Sequence, residues 1–411
     1  MRILIVTQYF WPETFRINEL VEMFVEKGHD VTVLTGVPNY PSGQRFPDYA
    51  SDPSRFRHWK GAEVHRVPMT VRGTGRLGLV VNYATFALSA SVLGPWKLRR
   101  KHFDVIFAYE PSPITVGIPA MILRFLKRAP SCLWILDLWP ETPHALGMLN
   151  NKWLYRATQL GVRQIYRATD LLLVQSPGFD RAVRKYAPKN AAIRYFPSWA
   201  DAVFDGPLPC PAPEVPVLED SFSVLFAGNI GEAQDFESIL RAAELLKDRP
   251  DIRFLVVGDG RQLEWVTREI EFRGLASSVL LLGRHPVERM PEFFAHADAL
   301  LVTLRADPVF SATIPAKVQA YMAAGIPIVG LLEGEGADAV RRWECGLIAS
   351  SGDAQGLADA ITKLADAPVP QRRNMGDNGR RGAETEFNRH VLVDSLITWM
   401  SQLVAERKNK R

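Results

Sequence analysis

Cysteine and histidine are too few and too scattered in this sequence to form the usual metal-binding patterns. The three cysteines, Cys132, Cys210 and Cys345, lie far apart, and the eight histidines show no paired spacing. Zinc sites take their ligands from pairs of these residues at short intervals. We therefore expect no metal in the site and a cytoplasmic location.

The sequence also lacks the short motifs of several enzyme classes. It has no Gly-x-x-x-x-Gly-Lys-Ser/Thr loop and no Gly-x-Ser-x-Gly turn, which disfavours P-loop phosphoryl transfer and serine hydrolysis. No Gly-x-Gly-x-x-Gly turn follows the first strand, which disfavours a nicotinamide-dependent dehydrogenase. The opening MRILIVTQYF has neither the basic start nor the cleavage site of a secretory signal, so we expect it to form a buried strand.

The excess of positive charge is small. A net charge of +4 and a pI of about 8.9 are too weak to predict a nucleic-acid partner. A hydrophobic content of 47% is typical of globular proteins. The length of 411 residues favours two domains of about 200 residues each.

The first half of the chain alternates strand and helix patterns. Residues 2–7 predict a strand, residues 16–27 a helix and residues 30–35 a second strand, which implies a parallel pair with a right-handed crossover. Ligands of open α/β sheets bind beyond the carboxyl ends of the strands. The candidate segments are therefore residues 7–13, 36–42, 109–112 and 137–141, and Ser176.

A proline-rich stretch, DGPLPCPAPEVPVLED at residues 205–220, predicts a linker, because proline fits neither helix interiors nor central strands. It separates a domain at 1–204 from a second domain at 221–385, in which the strand and helix alternation restarts. Residues 386–411 are expected to form a helix that packs back on the first domain.

Two glycine turns in the second domain predict a phosphate-bearing ligand. Gly228 and Gly231 follow one predicted strand and precede a helix, and Gly258 and Gly260 repeat the pattern at the next strand. Glycine lets backbone amides approach a phosphate, and a helix N-terminus favours negative charge. One such turn fits a tight connection without a ligand equally well, but two in one domain favour a ligand.

Charged residues at other strand and helix ends are further candidates. Lys317 stands in a first helical turn, where the helix dipole disfavours a cation unless an anion binds there; an exposed surface lysine is the alternative. Glu333 could meet ribose hydroxyls or belong to a plain acidic loop. Asp137 and Glu141 follow a buried strand and could orient an acceptor hydroxyl, or cap the next helix.

One apolar segment raises the question of a membrane. Residues 77–98 are largely apolar, with Arg72 and Arg76 before them and Lys97 and residues 99–101 after. The polar residues inside the segment disfavour a spanning helix. Cationic ends suit an anionic membrane surface, and a core helix with solvated ends is the alternative.

Seven segments in order resemble one known family. They are QYFWPE at 8–13, GHDVTVLTGVPNYPSG at 28–43, DLWPE at 137–141, PSWAD at 197–201, FAGNIGEAQ at 226–234, VGDG at 257–260 and IPAKVQAYMAAGIPIV at 314–329. The chain resembles the family 4 glycosyltransferases of the GT-B fold and, within them, the WbuB-like sugar transferases of bacterial surface-polysaccharide assembly. The resemblance implies an α/β protein with two Rossmann-like lobes whose parallel sheets face a central cleft.

The resemblance also implies an activity. It is the retaining, metal-independent transfer of a sugar from a nucleotide-diphosphate sugar, UDP-linked, to a saccharide acceptor carried on polyprenyl diphosphate. The products would be O-antigen, capsule or exopolysaccharide. No cofactor besides the donor substrate and no nucleic acid is expected. The protein would act peripherally at the inner face of the cytoplasmic membrane.

Matched motifs and strand ends together assign the site residues. Asn229 and Gly231 would line the donor diphosphate, and Lys317 would neutralise it. The full donor set is Gly228, Asn229, Gly231, Gln234, Gly258, Gly260, Arg284, Lys317 and Glu333. The acceptor set is Arg16, Asn39, Tyr40, Glu110, Asp137 and Glu141, and the catalytic candidates are Asp137 and Lys317.

The sequence departs from the family pattern in three places. Ala312 and Ala320 stand where many members have two glutamates separated by seven residues. Leu136 stands where the family often has a histidine before the aspartate, so Asp137 is the substitute we favour. The glycine-rich turn after the first strand is replaced by WPETFR, in which Arg16 could meet a phosphate.

Two other functions fit the same pattern. A nucleotide-sugar epimerase shares the fold but needs no acceptor. A non-catalytic protein that binds nucleotide sugars is favoured by Ala312 and Ala320, which lack the carboxylates of the family.

Overall fold

The computed structural model describes residues 1–73, 75–145, 147–216, 218 and 220–409, with the side chain of Arg76 left out. The chain divides into two compact units. The first comprises Met1–Pro197 and His390–Arg411, and the second comprises Ser198–Arg389. Each unit is built on one sheet with helices on it, as the alternating pattern predicts.

The strands are short and mostly buried on both faces. In chain order they are β1 Arg2–Thr7, β2 Asp30–Gly36, β3 His58–Trp59, β4 Ala62–Val67, β5 Val105–Glu110, β6 Ser131–Ile135, β7 Leu171–Val174, β8 Ile193–Tyr195, β9 Phe222–Ala227, β10 Ile252–Val257, β11 Val279–Leu281, β12 Ala299–Thr303, β13 Ile328–Leu331 and β14 Gly346–Ala349.

The helices connect these strands and follow the last one. They are α1 Arg16–Glu26, α2 Pro47–Ser51, α3 Arg76–Lys97, α4 Gly117–Lys127, α5 Glu141–Ala145, α6 Lys152–Ala168, α7 Pro177–Arg184, α8 Phe236–Leu245, α9 Leu263–Phe272, α10 Met290–Phe294, α11 Pro308–Ser311, α12 Ala316–Ala324, α13 Gly334–Arg342, α14 Ala354–Ala365, α15 Val369–Thr385 and α16 Arg389–Asn409.

The first sheet has the strand order β3-β4-β2-β1-β5-β6-β7-β8, and the second has β11-β10-β9-β12-β13-β14. The strand pairs are parallel except for the short β3, which runs antiparallel to β4. The order reverses direction beside β1 and beside β9. Such reversals are where open α/β sheets bind ligands.

Side chains of the second sheet alternate between two cores. Leu225 of β9 belongs to the core that contains α10 and α12, whereas its neighbours Val224 and Phe226 belong to the core that contains α8 and α14. Successive residues of a strand point to opposite faces, so a sheet covered on both sides needs nearly continuous apolar strands. This requirement explains the run FSVLFA.

The boundary between the units falls earlier than the proline-rich pattern predicts. Within residues 205–220, Ala212 and Val215 are buried in the core of the second unit. Ala212 N donates to Glu292 O at 3.0 Å, and Arg289 pairs with Glu214. The stretch is therefore part of the second unit and not a free linker; Val217 and Glu219 within it lie outside the described residues. Proline excludes regular structure there but not burial.

The last helix, α16, belongs to the first unit. Lys27 Nζ lies 2.6 Å from Asp394 Oδ1, and the ring of Trp399 meets that of Phe196 edge-on at 6.4 Å. Val393, Leu396 and Met400 are buried. This segment begins at His390, four residues later than the sequence predicts.

Helix α3 contains the apolar segment at residues 77–98. It is long and apolar enough to cross a membrane, but it packs against β2, β4 and α4 and so covers the first sheet. Leu77, Val80, Leu88 and Trp96 lie on its other side and are exposed. The helix therefore supplies core on one side and an apolar surface on the other.

The burial of the proline-rich stretch can be tested by thermal unfolding of the full chain. Val215→Ala removes buried methyl groups and should destabilise the protein by about 1–3 kcal/mol. Leu218→Ala in the same stretch should change stability by less than about 0.5 kcal/mol, because Leu218 is exposed. Equal melting temperatures for the two variants would contradict the packing described above.

Candidate functional site

A cavity of about 610 Å³ opens in the second unit at the carboxyl ends of β9 and β10 and the N-terminus of α12. Its walls mix glycine turns, apolar side chains and a few charged groups. The lining residues are Asp201, Phe204, Ala227, Gly228, Asn229, Val257, Gly258, Asp259, Gly260, Arg284, His285, Val287, Met290, Phe294, Ala316, Lys317, Ala320 and Tyr321.

The glycines of this cavity are required by close packing of the two turns. A Cβ atom on Gly258 would lie 1.8 Å from Gly228 O, and one on Gly260 would lie 2.2 Å from Ile230 O. Gly228 and Gly258 also have φ angles of +140° and +155°, which other residues rarely adopt. No larger residue fits either position without moving the turns apart.

The amides of these turns mostly bind the protein itself. Gly228 N donates to Val257 O at 2.8 Å, and Gly258 N donates to Gly283 O at 2.8 Å. The expectation that both glycine amides approach a phosphate is therefore corrected, because these groups hold the turns together. In the described part of the chain, the amides of Asn229 and Gly231 donate no hydrogen bond and are free to bind a ligand.

Lys317 is the main charged group of the cavity. Its Nζ donates to Gln234 Oε1 at 2.6 Å and lies 3.7 Å from the centre of the Phe226 ring. Among the described residues no carboxylate lies within 4 Å of it, and burial lowers the pKa of the ammonium to about 7. A Cβ on Gly228 would lie 2.7 Å from Lys317 Cε, so Gly228 also makes room for this side chain.

Six of the predicted donor residues line the cavity, and three lie outside its lining. Gly231 contacts the Asn229 side chain, Gln234 binds Lys317, and Glu333 Oε1 accepts from Ser351 N at 3.2 Å. The six that line it are Gly228, Asn229, Gly258, Gly260, Arg284 and Lys317.

The acidic groups of the cavity come from positions that the sequence did not single out. Ala320 lines the cavity, so the wall has a methyl group where related sequences carry a carboxylate. Asp201 and Asp259 are the aspartates in the lining. Asp201 lies in the PSWAD segment, which was noted only as part of the resemblance.

The first unit has a smaller cavity of about 340 Å³, where the loops after β1, β2, β4, β5 and β6 meet α3 and α5. It is richer in aromatic rings. Its lining residues are Tyr9, Phe15, Tyr40, Arg72, Leu79, Tyr83, Pro111, Ser112, Asp137, Trp139, Thr142, Pro143 and Met148. Of the predicted acceptor set, Tyr40 and Asp137 are in this lining.

Asp137 follows the carboxyl end of β6 and faces the cavity from its half-buried position. Trp139 Nε1 donates to Asp137 Oδ2 at 3.2 Å. Burial raises the pKa of Asp137 above its usual range, and hydrogen bonds oppose the shift. A carboxyl group with a raised pKa beside an open cavity is a candidate to accept a proton from a bound hydroxyl group.

Arg72 replaces Arg16 as the cation of this cavity. Arg16 Nη1 pairs with Glu19 Oε2 at 2.7 Å and lies outside the lining. Arg72 has no carboxylate within 4 Å among the described residues, and its guanidinium lies 5.3 Å from the centre of the Tyr40 ring. The sequence marked Arg72 only as a flank of the apolar segment, and nothing local connects it with Tyr40.

Glu13 is a structural residue that the sequence analysis missed. Its carboxylate is buried and accepts hydrogen bonds from the amides of Phe10, Asn39 and Tyr40 at 2.7–3.1 Å. It therefore joins the loop after β1 to the loop after β2. The Asn39 side chain is also structural, since its Oδ1 accepts from Arg72 N at 2.8 Å.

Glu110 and Glu141 lie outside the lining of the cavity. Glu141 Oε1 accepts from the Tyr186 hydroxyl at 2.7 Å. Glu110 is completely buried at the end of β5, and neither of its carboxyl oxygens has a hydrogen-bond partner. Burial raises the pKa of Glu110 well above its usual value. Burial therefore favours the protonated form of Glu110, and the side chain lies away from this cavity.

Within the described residues, no group of three or more His, Cys, Asp or Glu side chains is placed to hold a metal ion. The charged groups that line the two cavities come from Lys, Arg, His and Asp residues.

Comparison with known proteins agrees with this arrangement. The family model of the glycosyl transferase 4-like domain matches residues 14–199, and that of the glycosyl transferases group 1 matches residues 213–382. The two models together span most of both units. The chain therefore belongs to the glycosyltransferases of family 4 type with the GT-B fold.

Individual relatives are distant but cover most of the chain. The putative colanic acid biosynthesis glycosyl transferase WcaI of Escherichia coli is 26% identical over 79% of this chain and 82% of its own length. The probable glycosyltransferase WbjE of Pseudomonas aeruginosa is 24% identical over 80% of this chain and 82% of its own length.

Solved structures share the fold at lower identity. Sucrose-phosphate synthase from Thermosynechococcus elongatus has a TM-score of 0.69 at 17% identity, covering 98% of this chain and 99% of its own. HepE from Anabaena, solved in complex with UDP, has a TM-score of 0.68 at 15% identity, covering 98% of this chain and 100% of its own. These likenesses confirm the GT-B fold.

The raised pKa of Glu110 predicts a pH-dependent gain in stability for Glu110→Gln. The unfolded chain releases the Glu110 proton above its ordinary pKa while the folded chain keeps it, so wild-type stability falls as the pH rises. Glutamine does not titrate. The advantage of the variant should grow by up to about 1.4 kcal/mol per pH unit above about pH 5.

Thermal unfolding between about pH 5 and pH 8 checks this prediction. Glu406→Gln, at an exposed position near the end of α16, is the matched control and should follow the wild type. Parallel stability curves for Glu110→Gln and the wild type would show that Glu110 is ionised in the folded protein.

Proposed function

We propose that this protein is a retaining, metal-independent glycosyltransferase that uses a nucleotide-diphosphate sugar, UDP-linked, as its donor. The observation that carries the proposal is the Lys317 ammonium between two glycine turns and the N-terminus of α12. It donates to Gln234 but has no carboxylate partner among the described residues. A diphosphate fits this arrangement, because the ammonium and the helix N-terminus both attract negative charge. The glycine turns leave space for its oxygens. The UDP bound by HepE from Anabaena supports this choice of nucleotide.

Departure of the donor diphosphate is the step that the second unit would promote. Charge develops on the leaving phosphate oxygens as the bond to the sugar breaks, and a fixed cation lowers the energy of that state. Lys317 and Arg284 supply the charge, and the free amides of Asn229 and Gly231 add hydrogen bonds. Asp201 and Asp259, which line the cavity, would bind hydroxyl groups of the ribose or the sugar.

The cavity of the first unit would hold the acceptor. Its aromatic rings suit the apolar faces of sugar rings, and Asp137 would orient the attacking hydroxyl. Arg72 would contact the diphosphate that joins the saccharide to its polyprenyl carrier. The name of WcaI, a putative colanic acid biosynthesis glycosyl transferase, supports a place in surface-polysaccharide synthesis, and the WbuB-like subgroup is part of this proposal.

A peripheral position at the inner face of the cytoplasmic membrane completes the proposal. The exposed apolar side of α3 and the basic residues that follow it support attachment to a lipid surface, where a polyprenyl-linked acceptor resides. No cofactor beyond the donor and no nucleic acid takes part.

Lys317 gives a test of donor binding that depends on pH. Because its pKa in the free protein is about 7, wild-type affinity for UDP should fall by up to about tenfold per pH unit above that value. Lys317→Arg stays charged and should bind with little pH dependence. Lys317→Ala should lose about tenfold to hundredfold in affinity, as expected for a hydrogen bond to a charged group.

Isothermal titration calorimetry measures these affinities, with Lys363→Ala on the exposed side of α14 as the control. Wild-type affinity that does not change with pH, together with full binding by Lys317→Ala, would remove Lys317 from the donor site.

Arg72 gives a test of the acceptor site. Arg72→Ala should raise the KM for a diphosphate-linked acceptor by about tenfold or more, because it removes a charged contact. Arg16→Ala should leave the KM nearly unchanged, since Arg16 pairs with Glu19 away from the cavity.

Radiolabelled donor, supplied with and without acceptor, provides the measurement. Conversion of the donor without any acceptor would favour an epimerase. Donor binding without turnover on a panel of acceptors would favour a non-catalytic protein. A product whose anomeric configuration is inverted would contradict the retaining mechanism.

A further inference from the structure

Three neighbouring helices of the first unit carry a surface that is apolar and basic and contains no acidic residue. They are α3, α4 and α6, of 22, 11 and 17 residues, and none of them contains Asp or Glu. The whole chain has 45 acidic residues among 411, so stretches of this combined length would ordinarily hold several. Their cations are Arg76, Lys97, Arg124, Lys127, Lys152, Arg156, Arg163 and Arg167.

The topology of the sheet places these helices side by side. The connections through α3, α4 and α6 all move in the same direction along the strand order, so right-handed crossovers put the three helices on one face. The connection through α7 moves the same way, so α7, which carries Asp180 in an ion pair with Arg184, lies on this face beyond the three helices. Helix α4 packs against both α3 and α6. Helix α1 connects strands in the opposite direction and covers the other face, and it carries Glu19, Glu22 and Glu26.

Large apolar side chains of all three helices face outward. Leu77 of α3, Phe125 near the end of α4 and Trp153 at the start of α6 are each at least 77% exposed. An ordinary surface helix turns its polar side to water. Here the outward side is apolar on three adjacent helices, which marks a surface that is covered when the protein works.

Two tryptophans of this surface lie beside cations. The guanidinium of Arg99, just after α3, lies 4.8 Å from the ring of Trp96, and that of Arg156 lies 5.7 Å from the ring of Trp153. Tryptophan beside arginine is the arrangement that suits the boundary between lipid headgroups and acyl chains. Arg124 and Lys127 are engaged within the protein, because Arg124 forms an ion pair with Asp170 and Lys127 donates to the carbonyls of Leu98 and Lys101.

We propose that α3, α4 and α6 together form the surface by which this protein lies on an anionic lipid bilayer. The inference rests on the proposed membrane location and extends it from one helix to a three-helix layer in which α6 is an essential part. A second copy of the chain is a poor occupant, since a symmetric dimer through these three helices would bring the basic residues of two copies together. A bilayer that contains phosphatidylglycerol supplies both the opposite charge and an apolar interior.

The decisive test changes α6 and leaves α3 intact. The full-length double variant Trp153→Ser with Leu154→Ser should bind vesicles of phosphatidylcholine and phosphatidylglycerol at least tenfold more weakly than the wild type in co-sedimentation. Phe272→Ser on α9 is the matched control, because Phe272 is 86% exposed but lies in the second unit; it should bind like the wild type.

The charge dependence is tested in the same assay. Arg156→Glu with Arg163→Glu should lose about fivefold in vesicle affinity for each cation removed, and the exposed Arg268→Glu of α9 should lose little. Wild-type binding to phosphatidylcholine alone should be much weaker than to the anionic vesicles. Unchanged vesicle affinity of both α6 variants would overturn the proposal.

Two further outcomes separate this inference from its alternatives. If the wild type is a dimer and the α6 variants are monomers with unchanged vesicle affinity, the face is an interface between copies and the lipid proposal fails. Titration with UDP distinguishes a failure of the proposed function from a failure of the lipid surface. The α6 variants should retain wild-type nucleotide affinity, and Lys317→Ala should retain wild-type vesicle affinity. Loss of nucleotide affinity in Trp153→Ser with Leu154→Ser would mean that this variant disturbs the fold. The charge variant Arg156→Glu with Arg163→Glu then decides.

Discussion

The close packing of the turns after β9 and β10 is the constraint on which the donor cavity depends. Gly228 and Gly258 approach so closely that a single Cβ atom would force them apart, and the space at Gly228 is the space that the end of Lys317 occupies. Because the amides of Gly228 and Gly258 donate to carbonyl groups of the protein, the positive charge of the cavity comes from the side chains of Lys317 and Arg284. Burial lowers the pKa of the Lys317 ammonium to about 7.

In the first unit, a side chain and not close backbone packing holds two loops together. Buried Glu13 collects three backbone amides and thereby joins two loops that are distant in sequence. Glu110 is buried at the end of β5, its carboxyl oxygens have no hydrogen-bond partner, and burial raises its pKa. These two carboxyl groups contribute structure rather than ligand contacts, which leaves Asp137 and Arg72 as the charged groups that face the cavity.

The sequence could predict those features that a few adjacent residues determine. The bounds of β1 and β12 and the start of α12 agree with the pattern of apolar residues and prolines, and the glycine turns mark the donor cavity because each turn is contained in a few adjacent residues. The edge strand β3 and its neighbour β4 were not predicted, since AEVHRV carries a weak apolar signal. The acceptor cavity was predicted less well because five loops, α3 and α5 build it, and no local pattern shows that Arg72 comes to lie beside Tyr40.

Helix α3 links the proposed lipid surface to the acceptor cavity through its first turns. Leu79 and Tyr83 line the cavity, while Leu77 and Val80, one or two positions away, face outward. Side chains three or four residues apart share a face of a helix, so these two pairs divide the same turns between inside and outside. If the outward side rests on lipid, the mouth of the acceptor cavity lies at the level of the headgroups. A saccharide on a polyprenyl diphosphate could then enter the cavity while its carrier stays in the bilayer, and the cost of extracting a long apolar chain into water would not arise.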